Sequence, residues 1–292
     1  MDRFPGFSES FLQRLSTLRF KPKPGIWGRG AGEHLMRKGG ASVEFSDFRT
    51  YAWGDDFRLI DWNSFARLDR PFVKVFRDEE GIVLHFLLDC SLSMNWGNPP
   101  KVDYALKVIA AFGYVASVGF NWVKFQSLPG SFTFPETRGR GQIVNFFRFL
   151  SQVQARERCH LNEELKRYAE LNPHPSLIFV LTDALEPTGI EGGIKSLLAR
   201  GHQIVFLHVL SPEEVSPSLL GDFEIEDREW GTRIEVSLDD FSLKVYRETV
   251  EGWKDSIRSF CLSHQVPYVF LPTSLSLEEV FFRQLPLLGI FK

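Results

Sequence analysis

From about residue 81 onward the chain repeats one pattern, in which a short, almost wholly apolar run is followed by a stretch with apolar residues every three or four positions. Ile82-Val83-Leu84-His85-Phe86-Leu87-Leu88, Ser176 to Asp183, Gln203 to Leu210 and Val266 to Leu271 are the apolar runs. Their length and lack of alternation predict strands buried on both faces. The stretches near 100–118, 141–153, 161–171, 190–200, 239–263 and from 276 predict helices. Asn98-Pro99-Pro100 leads into the first of these, where proline is tolerated in the opening turn. Strands alternating with helices give βαβ units and a largely parallel sheet. Asn121 to Leu128 and Ser131 to Phe134 flank Pro129-Gly130, so a hairpin should add an antiparallel edge. The expected fold is α/β, a doubly wound, mostly parallel sheet.

Residues 1–80 follow a different pattern and predict a separate N-terminal region ahead of a domain spanning 81–292. Phe7, Phe11, Leu12, Leu15 and Leu18 recur at helical spacing, with Ser8 available as a cap. Lys21-Pro22-Lys23-Pro24-Gly25 ends that helix, and no helical period follows. Gly28-Arg29-Gly30-Ala31-Gly32 follows no strand and opens no helix, so it reads as a turn rather than a dinucleotide loop. Val108 to Val123 is uncharged but falls short of the roughly 18 residues a membrane span requires. Gly113, Gly119 and Asn121 also break it, so it reads as the end of a buried helix running into a strand, with no direct membrane span.

Composition adds bounds. The 292 residues are 43% hydrophobic and 24% charged, enough apolar material for a sizeable core. A net charge of −3 gives no general attraction for nucleic acid, and the basic residues among the first forty read as a solvated arm or a partner contact. Cys90, Cys159 and Cys261 are far apart, with no paired spacing for a disulfide framework or zinc ribbon. Met1-Asp2-Arg3-Phe4-Pro5 lacks the apolar segment of a signal peptide. These features together suit a cytoplasmic protein.

The chemistry concentrates in Asp89-Cys90-Ser91-Leu92-Ser93-Met94, just past the carboxyl end of the first buried strand. One carboxylate and two hydroxyls at alternate positions are hard oxygen donors, suited to magnesium or manganese rather than zinc. Asp183 ends a second strand, and two strand-end carboxylates can share one polar site at a sheet switch point. Each aspartate alone would read as a turn or helix cap. Familiar enzyme signatures are missing. Ser91 stands where a haloacid-dehalogenase-like phosphatase needs its second aspartate, no G-x-S-x-G elbow surrounds Ser93, and no Walker loop is present. The histidines show no metal-binding pair, and His85 and His208 lie within strand runs as core or layer-facing residues. Arg138-Gly139-Arg140-Gly141 reads as an exposed turn.

Upstream, Arg49, Asp55, Asp56, Arg58, Asp61 and Arg67 interleave with aromatic residues. Turn formation by Gly54-Asp55-Asp56 and local arginine pairing account for them, and a partner surface is the alternative.

At this point the sequence resembles a family. D-x-S-x-S with a later strand-end Asp resembles the metal-ion-dependent adhesion motif of von Willebrand factor A domains. Glu44-Phe45, Arg49, Tyr51, Gly54-Asp55-Asp56, Arg58, Ile60-Asp61-Trp62, Ala66-Arg67 and Val73-Lys74, followed by Glu79 or Glu80, resemble the bacterial domain-of-unknown-function 58 family. Lys101, the Asp183 strand and Gly221-Asp222-Phe223-Glu224 extend the likeness. The resemblance implies a von Willebrand factor A-like domain with a β-rich N-terminal extension. It also implies a magnesium (or manganese) site at Asp89, Ser91, Ser93 and Asp183, with one position left for a partner's carboxylate. Cys159 stands where relatives carry the threonine ligand, a soft thiol poorly matched to magnesium, and His160 follows in place of an Asp. Thr182 should face away from Asp183 if the strand is regular there. The function so implied is a non-enzymatic, metal-dependent protein-interaction module, an adaptor or co-chaperone of a MoxR-type AAA+ ATPase. The alternatives are a metal-dependent hydrolase using the same cation and a metal-free scaffold with a decayed site.

Overall fold

The computed structural model describes residues 6–21, 44–51, 60–68, 70–77, 81–227 and 231–291. The chain divides into two compact units, one formed by Met1–Gly28 with Ile82–Lys292, the other by Arg29–Gly81.

The larger unit is built on a six-stranded sheet. Its strands are β3 (Val83–Asp89), β4 (Trp122–Leu128), β5 (Thr133–Arg138), β6 (Leu177–Thr182), β7 (Gln203–Leu210) and β10 (Tyr268–Pro272), in spatial order β10-β7-β6-β3-β4-β5. All neighbours run parallel except β4 and β5, the expected antiparallel edge. β5 extends to Arg138, so the Arg138-Gly139-Arg140-Gly141 segment is a strand end running into a short turn of 3-10 helix at Arg140–Gln142 rather than an open turn throughout.

Both faces of the sheet are covered, which is why its central strands contain so few polar residues. On one face Leu84, Phe86, Leu88, Phe179 and Leu207 join α3 (Lys101–Val118) and α4 (Ile143–Leu150) in a core centred on Phe112. The Phe112 ring lies 4.4 Å from Phe179 and 4.7 Å from Phe281 by centroid. On the other face Leu87, Ile178, Val180 and Phe206 pack with α5 (Leu161–Leu171), α6 (Glu191–Ala199) and α8 (Asp240–Ser263).

The opening helix α1 (Glu9–Leu15) is capped by Ser8, whose hydroxyl accepts from Phe11 N. Its Phe11 and Leu15 are buried in the Phe112 core, against Phe281 and Phe282 of the last helical stretch. That stretch begins as α9 (Leu277–Glu279) and passes through a π turn at Val280–Gln284. The expected boundary at 80 therefore needs correction on one side. The N-terminal helix belongs with the sheet, because its apolar stripe is buried only there.

Two elements in this unit were not expected, the single-turn α7 (Pro212–Val215) and the hairpin of β8 (Gly221–Glu226) and β9 (Arg233–Leu238). Among the described residues no helix is long and apolar enough to cross a membrane.

The smaller unit contains an antiparallel pair, β1 (Glu44–Thr50) and β2 (Phe72–Arg77), with a bulge between Phe45 and Asp47. Between them lies α2 (Trp62–Leu68), a helix the sequence pattern did not predict. Asp61 N donates to Phe72 O, and Asp61 Oδ2 accepts from the Ser64 hydroxyl in the first turn of α2.

Candidate functional site

β3 and β6 are adjacent, yet the chain leaves β3 toward β4 on one side and β6 toward β7 on the other. The switch point therefore falls between β3 and β6, and a crevice is expected at their carboxyl ends. Asp89 ends β3 and Asp183 directly follows β6. Both are buried.

Asp89 is held on both oxygens. Its Oδ1 accepts from Ser91 N at 2.9 Å and its Oδ2 from the Thr182 hydroxyl at 2.7 Å. Ser91 and Ser93 bring their hydroxyls within 2.9 Å of each other, and Leu92–Asn95 forms a turn of 3-10 helix. Burial and the neighbouring Asp183 charge push the Asp89 carboxyl up to about 7, against the hydrogen bonds from Thr182 and Ser91. A group in that state gains from any cation brought close to it.

Asp183 already has one. Lys101, at the first position of α3, is fully buried, and its Nζ lies 2.8 Å from Asp183 Oδ2. The same ammonium pairs with Glu214 of α7. Burial alone would lower the Lys101 value, but the charges of Asp183 and Glu214 outweigh it and hold the amine above its ordinary range. Glu214 is fixed in turn by a capping box with Ser211. The Asp183 backbone is anchored as well, because its carbonyl oxygen accepts from His208 Nε2 at 2.9 Å. His208 Nδ1 is 2.8 Å from the Tyr268 hydroxyl, and burial lowers the imidazole to about 4, so it is neutral.

Of the sequence-predicted residues, Asp89, Ser91 and Ser93 form one connected cluster, with Asp183 close enough to act on the Asp89 charge. Thr182, expected to face away from Asp183, donates its hydroxyl to Asp89 and so belongs to the cluster. Cys159 is half-buried and packs with the Leu161 side of the core. Its loop nevertheless runs beside the cluster, since Glu157 forms a parallel bridge with Ser91. All three thiols are free. Among the described residues no three His, Cys, Asp or Glu side chains are grouped to hold a metal, so a cation here would depend on hydroxyl oxygens. The donor set of Asp89, Ser91 and Ser93 fits a hard divalent ion.

In the smaller unit Arg49 sits opposite Val73 in the β1–β2 register and Arg67 is exposed in the last turn of α2. Asp61 serves the start of that helix, while Asp55, Asp56 and Arg58 lie outside the described residues. Lys101 entered the sequence analysis only as part of a resemblance, and Glu214 and His208 were not foreseen as site residues. Lys101 carried a signal, because a cation in the first turn of a helix opposes the macrodipole and needs compensation.

The molecule is thus an α/β protein with a mostly parallel sheet, helices on both faces and a buried polar cluster at the switch point. It belongs to the family described as protein of unknown function DUF58, which matches residues 47–251. Uncharacterized protein Rv1480 of Mycobacterium tuberculosis is 26% identical over 232 residues, covering 77% of this chain and 73% of its own length. Uncharacterized protein Mb1516 of Mycobacterium bovis matches to the same extent. Among solved structures, BatB from Bacteroides thetaiotaomicron is similar at 18% identity and a TM-score of 0.46, over 72% of this chain and 99% of that one. An aerotolerance-related membrane protein from Bacteroides fragilis is similar at 17% identity and a TM-score of 0.45, over 70% and 99%.

Proposed function

We propose that this protein is a non-enzymatic interaction module of the von Willebrand factor A type. In this reading Asp89, Ser91, Ser93 and Asp183 hold magnesium or manganese, directly or through water, and a partner's carboxylate completes the coordination. The partner is an acidic surface on a MoxR-type AAA+ ATPase, for which the chain acts as cytoplasmic adaptor or co-chaperone. The observation that carries the reading is a buried carboxylate flanked by two adjacent hydroxyls at the switch point of the sheet. With a cation bound, Asp89 would stay ionised at neutral pH and the ion would keep a position open for an oxygen ligand. Asp89→Ala should abolish magnesium-dependent capture of the ATPase while leaving the fold intact. A pull-down from the native host with and without chelator measures this, and capture that persists in chelator would sink the proposal.

Lys101 favours a second reading, a metal-free scaffold, since its ammonium already answers Asp183. Calorimetric titration with magnesium and manganese separates the two. A metal-dependent hydrolase has less support, because both nitrogens of the nearby neutral His208 are engaged and neither is free as a general base. A turnover screen on phosphate and ester substrates, repeated with Asp89→Asn, tests that alternative.

A further inference from the structure

Beside the polar cluster lies an open groove of 1060 Å³, walled by the 3-10 turn after Ser91, by α7, by the β8–β9 hairpin and by the start of α8. Leu92 and Glu214 line it, so it adjoins the Asp89 and Lys101 groups without including them. Several of its apolar lining residues are exposed. Trp96 is 45% exposed, Leu219 56% and Ile225 44%. Contiguous exposed apolar surface with a polar rim marks a place where another molecule docks.

The charge of the rim identifies the kind of molecule. Between residues 212 and 240 the sequence carries ten carboxylates and two cations, in a chain whose overall charge is only −3. Glu213, Glu224 and Glu226 line the groove itself. Arg233 lies 2.8 Å from Glu226 and 3.7 Å from Glu224, so it offsets part of that charge and leaves the rim acidic, Glu213 included. Size gives a further bound. A helix about 10 Å across rising about 5.4 Å per turn fills roughly 400 Å³ a turn. A groove of 1060 Å³ is large enough to seat one side of a short helix of a few turns.

We infer that this groove binds a basic amphipathic helical segment of a partner protein, with its apolar stripe against Trp96, Leu219 and Ile225 and its lysines or arginines over the acidic rim. This is helix-in-groove recognition with charge selecting the partner. It is independent of whether a cation sits at Asp89.

The test is a fluorescence anisotropy titration of the full chain against a labelled Leu/Lys amphipathic peptide of about ten residues, with chelator present throughout. The expected result is saturable binding that weakens at least tenfold in Leu219→Asp and in Ile225→Asp, and several-fold in Glu213→Lys. Phe241→Asp, at an exposed apolar residue outside the groove, should leave it unchanged. A Leu/Glu peptide with the same apolar positions and a Ser/Lys peptide with the same charge should both bind at least tenfold more weakly. The inference is overturned if either control peptide binds as well as Leu/Lys, or if the groove variants match the wild type. It is equally overturned if sedimentation shows self-association that Ile225→Asp abolishes, since a second copy would then be the occupant. Asp89→Ala should retain peptide binding, so failure of the cation reading and failure of this one give different results.

Discussion

Lys101 is the residue on which the site turns. A fully buried ammonium shared by Asp183 and Glu214 is strongly coupled to both, and removing it leaves two carboxylates facing each other without a cation. Breaking a buried pair on one side costs about 3–5 kcal/mol. Lys101→Met should therefore lower the melting temperature, and added magnesium should restore more of it than it adds to the wild type, because a divalent ion could then answer Asp183. Thermal melts with and without magnesium measure this, and equal shifts in both proteins would refute it. The carboxylate and hydroxyl side of this cluster was legible in the sequence, since strand ends and alternate spacing place Asp89, Ser91, Ser93 and Asp183. The cationic side was legible only as Lys101 at a helix start, without its partners. Glu214 lies 113 positions from Lys101, and no local pattern joins residues that far apart.

Elements separate by how much of their surface is covered. Strands buried on both faces and helices with a clear stripe fell close to their expected bounds, whereas β8 and β9 were missed. Asp222-Phe223-Glu224-Ile225-Glu226 does alternate with a period of two, but the hairpin is largely exposed, so no continuous apolar run announced it. α2 escaped for another reason: its residues fall in the region that the family resemblance assigned to a β-rich extension, although Trp62, Phe65 and Ala66 stand at helical spacing. The packing of α5 on α6 was equally unreadable, because it rests on a missing atom. A Cβ on Gly193 would lie 2.6 Å from Leu165 Cβ and 3.0 Å from Asn162 O. The second contact is backbone and cannot swing aside. Gly193→Ala should thus cost about 1–3 kcal/mol through overpacking, against the small gain alanine normally gives within a helix. A denaturant midpoint equal to or above the wild type would show that the two helices can part without penalty.

At the scale of the whole molecule, stability should depend on pH through a histidine outside the cluster, four residues before Asp89 on β3. His85 lies within β3, with Nδ1 2.9 Å from the Tyr168 hydroxyl and 3.2 Å from that of Ser176, while Nε2 has no hydrogen-bond partner among the described residues. Burial, then Lys124 and His202, lower its value from 6.5 to about 3. The unfolded chain takes up this proton more readily, so the stability His85 supports is intact above about pH 6.5 and is lost as pH falls toward 3. Between pH 7.5 and 4.5 the loss from this one group is about 3 kcal/mol. His85→Gln should flatten that part of the profile in denaturant titrations, and an unchanged slope would assign the acid sensitivity elsewhere. The packing of residues 11–21 on residues 281–291 has a different consequence. Phe20 bridges Phe291, Lys21 N donates to Ile290 O, and Phe11 packs on Phe281 and Phe282. During synthesis α1 thus precedes these partners by more than 250 residues, although α3 and Phe147, which it also packs on, are made earlier than they are. Until residues 281–291 have emerged, Phe11 and Leu15 lack part of their final cover, so the nascent chain carries a partly bared apolar helix that chaperones can hold in the meantime.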